Sequence, residues 1–223
     1  MTVTEAVQSR RSIRRFRSDP VDRAVLERLL EKAQLAPSGG NLQPWNAHVL
    51  SGPALERLRD AIVPLIPQGR AAHSTDYAIY PADLADRYAA SRYEVGEDMY
   101  AALGVTREDK QGRLAQFARN YQAFGAPVLM LVHTPRYMGP PQWADIGMWL
   151  QTLMLLAREE GLDSCAQEAW AVYQQQIREH VAIPEDHILF CGVSIGYRDP
   201  DAPVNSFPVT RAPLKDVISF VEE

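Results

Sequence analysis

Four arginines fall within six positions near the amino end, in the run Ser9-Arg10-Arg11-Ser12-Ile13-Arg14-Arg15-Phe16. A guanidinium presents a planar fork of donors that matches a phosphate, and a serine hydroxyl adds a further contact. The run is either a solvated basic turn, a basic arm for nucleic acid, or a local anion site. The chain carries a net charge of −5 and has no other Lys/Arg stripe, which argues against nucleic acid and favours one phosphate-bearing ligand. A second chemical stretch is Ala36-Pro37-Ser38-Gly39-Gly40-Asn41-Leu42-Gln43-Pro44-Trp45. Gly39 and Gly40 allow close backbone approach to a ligand, and Asn41 and Gln43 offer amides that donate and accept at a heteroaromatic edge. Pro37 stops the preceding helix, and Trp45 can anchor the turn in the core while presenting one N–H. The plain alternative is a helix-stop loop over a buried tryptophan.

These stretches need elements to hold them. The pattern predicts a short helix over residues 3–8 and a second over 22–35, capped by Asp22, with Val25, Leu29, Leu30 and Ala33 on one face. A strand over 47–50 follows the glycine loop, then a helix over 54–63 closed by Pro64 and Pro67. Residues 67–125 read as an aromatic, charged helical insert, with helices over 81–103 and 107–121, usable as a substrate cap. Residues 127–133 form an apolar strand covered on both faces. The helix over 143–160 is apolar nearly all round, as in a large core or an interface, and Gly161 ends it. Strands over 163–168 and 187–197 and a closing helix over 213–221 complete an α+β chain, read as a single domain over 1–223.

Length and composition exclude other classes. At 223 residues with 46% apolar content the chain buries a sizeable core. Cys165 and Cys191 are too few for a disulfide scaffold and lack metal-ligand spacing, so they read as buried apolar residues of a reducing, cytoplasmic protein. No signal peptide or membrane span is expected. Gly192-Val193-Ser194-Ile195-Gly196 matches a serine-hydrolase elbow. That motif needs a following helix and a later histidine, whereas all five histidines, His48, His73, His133, His180 and His187, precede Ser194. The glycines read instead as places of close approach in a buried strand. His180 and His187 read as structural or surface residues rather than metal ligands.

Arg10-Arg11-Ser12-x-Arg14-x-Phe16, with Pro37-Ser38-x-x-Asn41-x-Gln43-Pro44-Trp45, resembles the FMN-dependent nitroreductase family. Later landmarks agree in order: Gly139-Pro140-x-x-Trp143-x-Asp145-x-Gly147, Gly161-Leu162-x-Ser164-Cys165-x-Gln167-x-Ala169-Trp170, Gly192-x-x-x-Gly196-Tyr197 and Arg211. They most resemble the nitrobenzoate-reductase-like branch, over nearly the whole chain except residues 67–125. The resemblance implies a mixed sheet flanked by helices in an intertwined homodimer, with FMN in sites built from both chains. Arg10, Arg11, Ser12, Arg14 and Arg211 would hold the phosphate and ribityl chain. Pro37, Ser38, Gly39, Asn41 and Gln43 would come from the partner, and Gln167, Glu168 and Ala169 would pass along the ring. Where some relatives carry a lysine this chain has Val209, and where many have a glycine it has Ala169. The implied activity is an NAD(P)H-dependent, ping-pong reduction of nitroaromatic or quinone-like acceptors, with no catalytic side chain, no metal and no nucleic acid or membrane partner. Phe124, Tyr121 and Trp143 are candidates for the acceptor pocket. Two alternatives stay open: other flavin chemistry (fragmentation, dehalogenation, dehydrogenation), or a non-catalytic FMN-binding dimer.

Overall fold

The computed structural model describes residues 1–68 and 75–222, so His73 and part of the 67–125 insert lie outside the described residues. Strands β1 (Asn46–Ser51), β2 (Val128–Pro135), β3 (Asp163–Gln167) and β4 (His187–Gly196) form one sheet in the order β1-β2-β4-β3. All three ladders are antiparallel, and the parallel element is the single bridge between Ser12 and Ser164. Side chains alternate across a strand, so β2 feeds two cores at once. Leu129 and Leu131 join Leu55, Leu58, Trp170 and Leu189 on one face, whereas Val128, Met130 and Val132 join Leu29, Trp45, Trp149 and Val193 on the other. That double coverage is why β2 reads as a continuous apolar run.

Helices α1 (Val3–Ser9), α2 (Arg23–Ala33), α3 (Gly52–Ile62), α4 (Asp86–Ala102), α5 (Lys110–Ala118), α6 (Pro140–Glu159) and α7 (Gln174–Arg178) surround the sheet. Asp22 caps α2 by accepting from the Ala24 N–H, but the fully buried face is Leu26, Leu29 and Ala33, with Val25 and Leu30 only half-buried. The 54–63 helix starts at Gly52 and passes into a 3-10 turn over Val63–Gln68 that contains both expected stops. α5 begins at Lys110 because Asp109 caps it on the Gly112 N–H, and the 107–121 segment then turns 3-10 over Arg119–Gly125. α6 begins three residues early, at Pro140, where a first-turn proline loses no helical hydrogen bond. Its outer face, including Gly147, Met148 and Gln151, is exposed.

The expected closing helix over 213–221 is absent; only a 3-10 turn over Leu214–Asp216 forms. Leu214, Phe220 and Val221 stay 63–87% exposed, and a short helix with nothing to pack its apolar side gains too little to form. The glycines of the hydrolase-like stretch behave as expected. A Cβ on Gly192 would lie 2.3 Å from Trp170 Cδ1, and one on Gly196 2.6 Å from Pro127 Cδ.

Three imidazoles form a chain across the sheet. His48 Nδ1 lies 3.0 Å from His133 Nε2, and His133 Nδ1 lies 2.8 Å from His187 Nδ1. His187 is therefore a sheet residue rather than a surface one, while His180 is exposed. Burial, then the neighbouring His48, His187 and Arg178, push His133 down to about 4. The two cysteines are buried and unpaired, with Cys165 pushed up by burial to about 11. Among the described residues no group of three His, Cys, Asp or Glu could hold a metal, and no helix is long and apolar enough to cross a membrane.

Candidate functional site

The arginine run is an extended strap from Arg10 to Phe16, sewn to the sheet edge. Ile13 donates to the Ser164 carbonyl and is fully buried, and Phe16 donates to the Phe124 carbonyl. Between these anchors Arg14 is half-buried and Arg15 exposed. Asn205 fixes the strap from the other side. Its Oδ1 accepts from the Arg14 and Arg15 N–H groups, and its Nδ2 donates to the Arg15 and Asp199 carbonyls. Asp163, buried at the start of β3, accepts from both Arg158 and Arg198, and Arg198 donates to the Ser9 carbonyl. That hydrogen bond to Asp163 holds the Arg198 guanidinium above its ordinary pKa.

The strap opens on a cavity of about 570 Å³ lined by Arg10, Arg11, Ser12, Arg14, Asn205 and Arg211, among others. None of these four arginines has a carboxylate partner among the described residues. Arg11 donates to the Phe207 carbonyl, Arg14 to the Ser12 carbonyl, and Arg211 to its own neighbours' carbonyls. Burial, and then the nearby Arg211 charge, lower the Arg10 pKa. Half-buried like charges facing one space favour an anion there. The donor set suits a phosphate.

A second cavity, of about 350 Å³, shares Arg14 and Val95 with the first and contains Gln167, Glu168 and Ala169. β3 ends here and passes into a 3-10 turn over Glu168–Tyr173. Gln167 does not spend its amide on the cavity. Its Oε1 accepts from Ser194 and its Nε2 donates to the Asn120 carbonyl at 2.8 Å. Ser194 is thus a buried tie to the cavity wall, which removes it from hydrolytic chemistry. The opposite wall comes from α4 with Arg92 and Tyr100, α5 with Gln116, the 3-10 turn after it with Phe124, and Tyr80 ahead of α4. Phe124 and the preceding Ala123 hold φ values of 53° and 50°, strain of a kind that gathers at binding sites. Tyr121 is instead packed edge-on against Trp170 and Tyr173, and Trp143 sits with Tyr77 and Phe190; neither lines these cavities.

The loop with Pro37, Ser38, Gly39, Asn41 and Gln43 lines neither cavity of its own chain. It is nonetheless built as a fixed shape. Gly39 N–H donates to both oxygens of Asp145 at 3.2 Å, and Gln43 N–H donates to Ser38 Oγ. Asn41 and Gln43 sit at φ 56° and 49°, with exposed side chains. Trp45 anchors it, donating to Gln34 and stacking on Trp149 at 5.8 Å. The sequence reading missed Asn205, Asp163, Asp145 and Gln116. Asn205, Asp163 and Asp145 act through contacts far along the chain, and only Asp145 stood within a quoted motif.

Known proteins share this arrangement. A solved FMN- and NADPH-dependent nitroreductase, NfnB from Sphigopyxis sp. strain HMH, superposes with a TM-score of 0.97 at 50% identity, over 100% of both chains. NfnB from Mycobacterium smegmatis, solved in complex with NADPH, gives 0.93 at 29% identity over 98% of this chain and 97% of its own. A 4-nitrobenzoate reductase of Nocardioides sp. (strain LMS-CY) is 35% identical over 217 residues, 96% of this chain and 88% of that protein. The fold and site thus define an oxidoreductase of nitroreductase type. Residues 7–197 match the nitroreductase family as a whole, and the chain belongs to that family.

Proposed function

We propose that the protein is an FMN-dependent oxidoreductase that uses NAD(P)H to reduce nitroaromatic or quinone-like acceptors in a ping-pong cycle. One observation carries the reading: a cavity of about 570 Å³ into which four arginines without carboxylate partners converge, continuous through Arg14 with the wall that carries Glu168 and Ala169. Arg10, Arg11, Ser12, Arg14 and Arg211 would hold the phosphate and ribityl chain. Asn205 keeps Arg14 in place, a role that matters more where Val209 offers no second cation. Gln167 would act through its backbone and its tie to Ser194, leaving Glu168 and Ala169 along the ring. FMN, when bound, supplies hydride acceptance from the nicotinamide and electron delivery to the acceptor. The chain's own residues orient the ligands and exclude water, so no side chain is assigned as catalytic. Donor and acceptor take turns in the second cavity, under α4 and α5 as a cap.

The functional unit in this reading is a homodimer. Three features support it: the exposed outer face of α6, the uncovered apolar tail after Pro213, and a preformed amide loop that lines neither of these two cavities in its own chain. Pro37, Ser38, Gly39, Asn41 and Gln43 would then complete the partner's site. The reading places the enzyme in the cytoplasm, as one domain, with Cys165 and Cys191 reduced.

The test is the visible spectrum of the purified protein, before and after anaerobic NADPH. Flavin bands that bleach are expected, with an Arg14→Ala variant binding FMN at least about tenfold more weakly, as fits loss of one charge-assisted phosphate contact. A colourless protein that refuses added FMN overturns the reading.

A further inference from the structure

One buried acid sets the shape of the glycine loop. Asp145, on the second turn of α6, is only 6% exposed and has no ion-pair partner among the described residues. Burying a carboxylate away from any cation is costly, yet both its oxygens lie 3.2 Å from a single backbone N–H, that of Gly39. That N–H opens the 3-10 turn over Gly39–Asn41, where Gly40 and Asn41 hold φ values of 57° and 56°, followed by Gln43 at 49°. Residues with side chains rarely adopt this region, and such backbone persists only where its surroundings over-determine it. The other polar contacts of the loop are internal. Gln43 N–H donates to Ser38 Oγ, Gln43 Nε2 to the Asn41 carbonyl, and the Asn41 and Leu42 N–H groups to the Ser38 and Gly39 carbonyls. Among the described residues, Asp145 is therefore the one polar tie from residues 38–43 to the rest of the chain. Four positions on, along the same face of α6, Trp149 stacks on Trp45, so one helix grips the loop at both ends. Neither Asp145 nor the loop lines the two cavities of its own chain.

We propose that Asp145 is a positioning residue that acts across the dimer, on the cofactor site of the other subunit. By fixing the Gly39 N–H it presets the loop in the one form that aims the exposed Asn41 and Gln43 amides at a ligand held by the facing strap. This rests on the proposed homodimer with sites shared between chains. An acid that only stabilised its own chain would weaken the site on that chain's own strap. An acid that shapes the loop weakens the site across the interface and leaves its own chain's strap untouched.

FMN affinity is measured by fluorescence titration of the apoprotein, with sedimentation to establish the dimer. Homodimers of Asp145→Ala, Arg14→Ala and Asn41→Gly should each bind FMN about tenfold more weakly, as for a lost charged or buried hydrogen bond. Glycine at position 41 deletes the amide without straining the positive φ. Asp145→Asn keeps a neutral acceptor for the Gly39 N–H and should stay within about threefold of wild type. Chains are then coexpressed with different tags and the doubly tagged heterodimer is isolated. When Arg14→Ala is paired with Asp145→Ala, both lesions fall on one site. The other site should bind FMN with wild-type affinity, and the damaged one about a hundredfold more weakly. Two equally weakened sites overturn the proposal, because Asp145 then acts within its own chain. Wild-type affinity in the Asp145→Ala homodimer overturns it as well. Arg14→Ala paired with Asn41→Gly is the control. One wild-type site there but none in the Asp145 pairing sinks the role of Asp145 alone. No wild-type site in either pairing, or a monomeric wild type, sinks the shared-site reading beneath it. Where the alanine chain fails to fold, Asp145→Ser takes its place, since its shorter hydroxyl falls short of the Gly39 N–H.

Discussion

The two walls of the site are built in opposite ways. The strap wall is anchored by fully buried Ile13, by a bridge to β3, by all the hydrogen bonds of Asn205 and by the Asp163 clamp. The cap wall contains α4, a helix of 17 residues with no buried residue, tied to α5 by Arg113 and Glu97 and dressed with guanidinium–ring contacts. Rigid backbone suits a fixed phosphate, whereas lids are drawn from the weakly held end of a protein's stability range. Under the proposed function, the difference means that the molecule fixes its cofactor end and leaves its acceptor end adjustable.

Breaking the strap wall should cost most. Asp163→Asn leaves Arg158 and Arg198 without their buried counter-charge, and should destabilise the fold by about 3 kcal/mol in urea titrations, reduced from a fully buried case by the partial exposure of Arg198. Flavin affinity should fall with it, because Arg198 holds the carbonyl beside Arg10.

Acid should act next, again on the sheet rather than the cap. The native pKa of His133 is lowered to about 4, so the unfolded chain binds a proton between pH 6.5 and 4 that the native chain refuses. Stability is complete above about 6.5 and falls as pH drops toward 4, by about 3 kcal/mol. Unfolding midpoints across that range check it, and His133→Phe should flatten the slope.

The smallest effect should come from the cap. Arg113→Ala removes the bidentate contact to Glu97 and the Thr106 carbonyl contact. It should leave the global unfolding midpoint unchanged while amide exchange over residues 86–118 quickens roughly threefold, since exposed ion pairs hold elements only locally. A matching loss of global stability would erase the distinction between the two walls.

The same division explains what the sequence disclosed. The strap, the glycine loop, the long helix and the apolar strands are local patterns, and each formed close to where its residues placed it. Residue type alone pointed to an anion site at Arg10, Arg11, Ser12 and Arg14, and Arg211, which only the family resemblance had named, lines the same cavity. Asn205 and Asp163 were invisible because the partners that matter to the strap, Arg14 and Arg15 for one and Arg198 for the other, lie 35 to 191 positions away and no spacing rule joins them. The closing helix failed because its apolar residues looked like a face, while nothing among the described residues covers them.

That tail has a consequence for how the protein comes into being. The strap can form in a lone chain at a rate indifferent to how many copies exist. Leu214, Ile218, Phe220 and Val221 remain uncovered until a second chain arrives, under the proposed assembly. Under that assembly maturation is second order in protein, so scarce chains wait longest with an apolar end exposed.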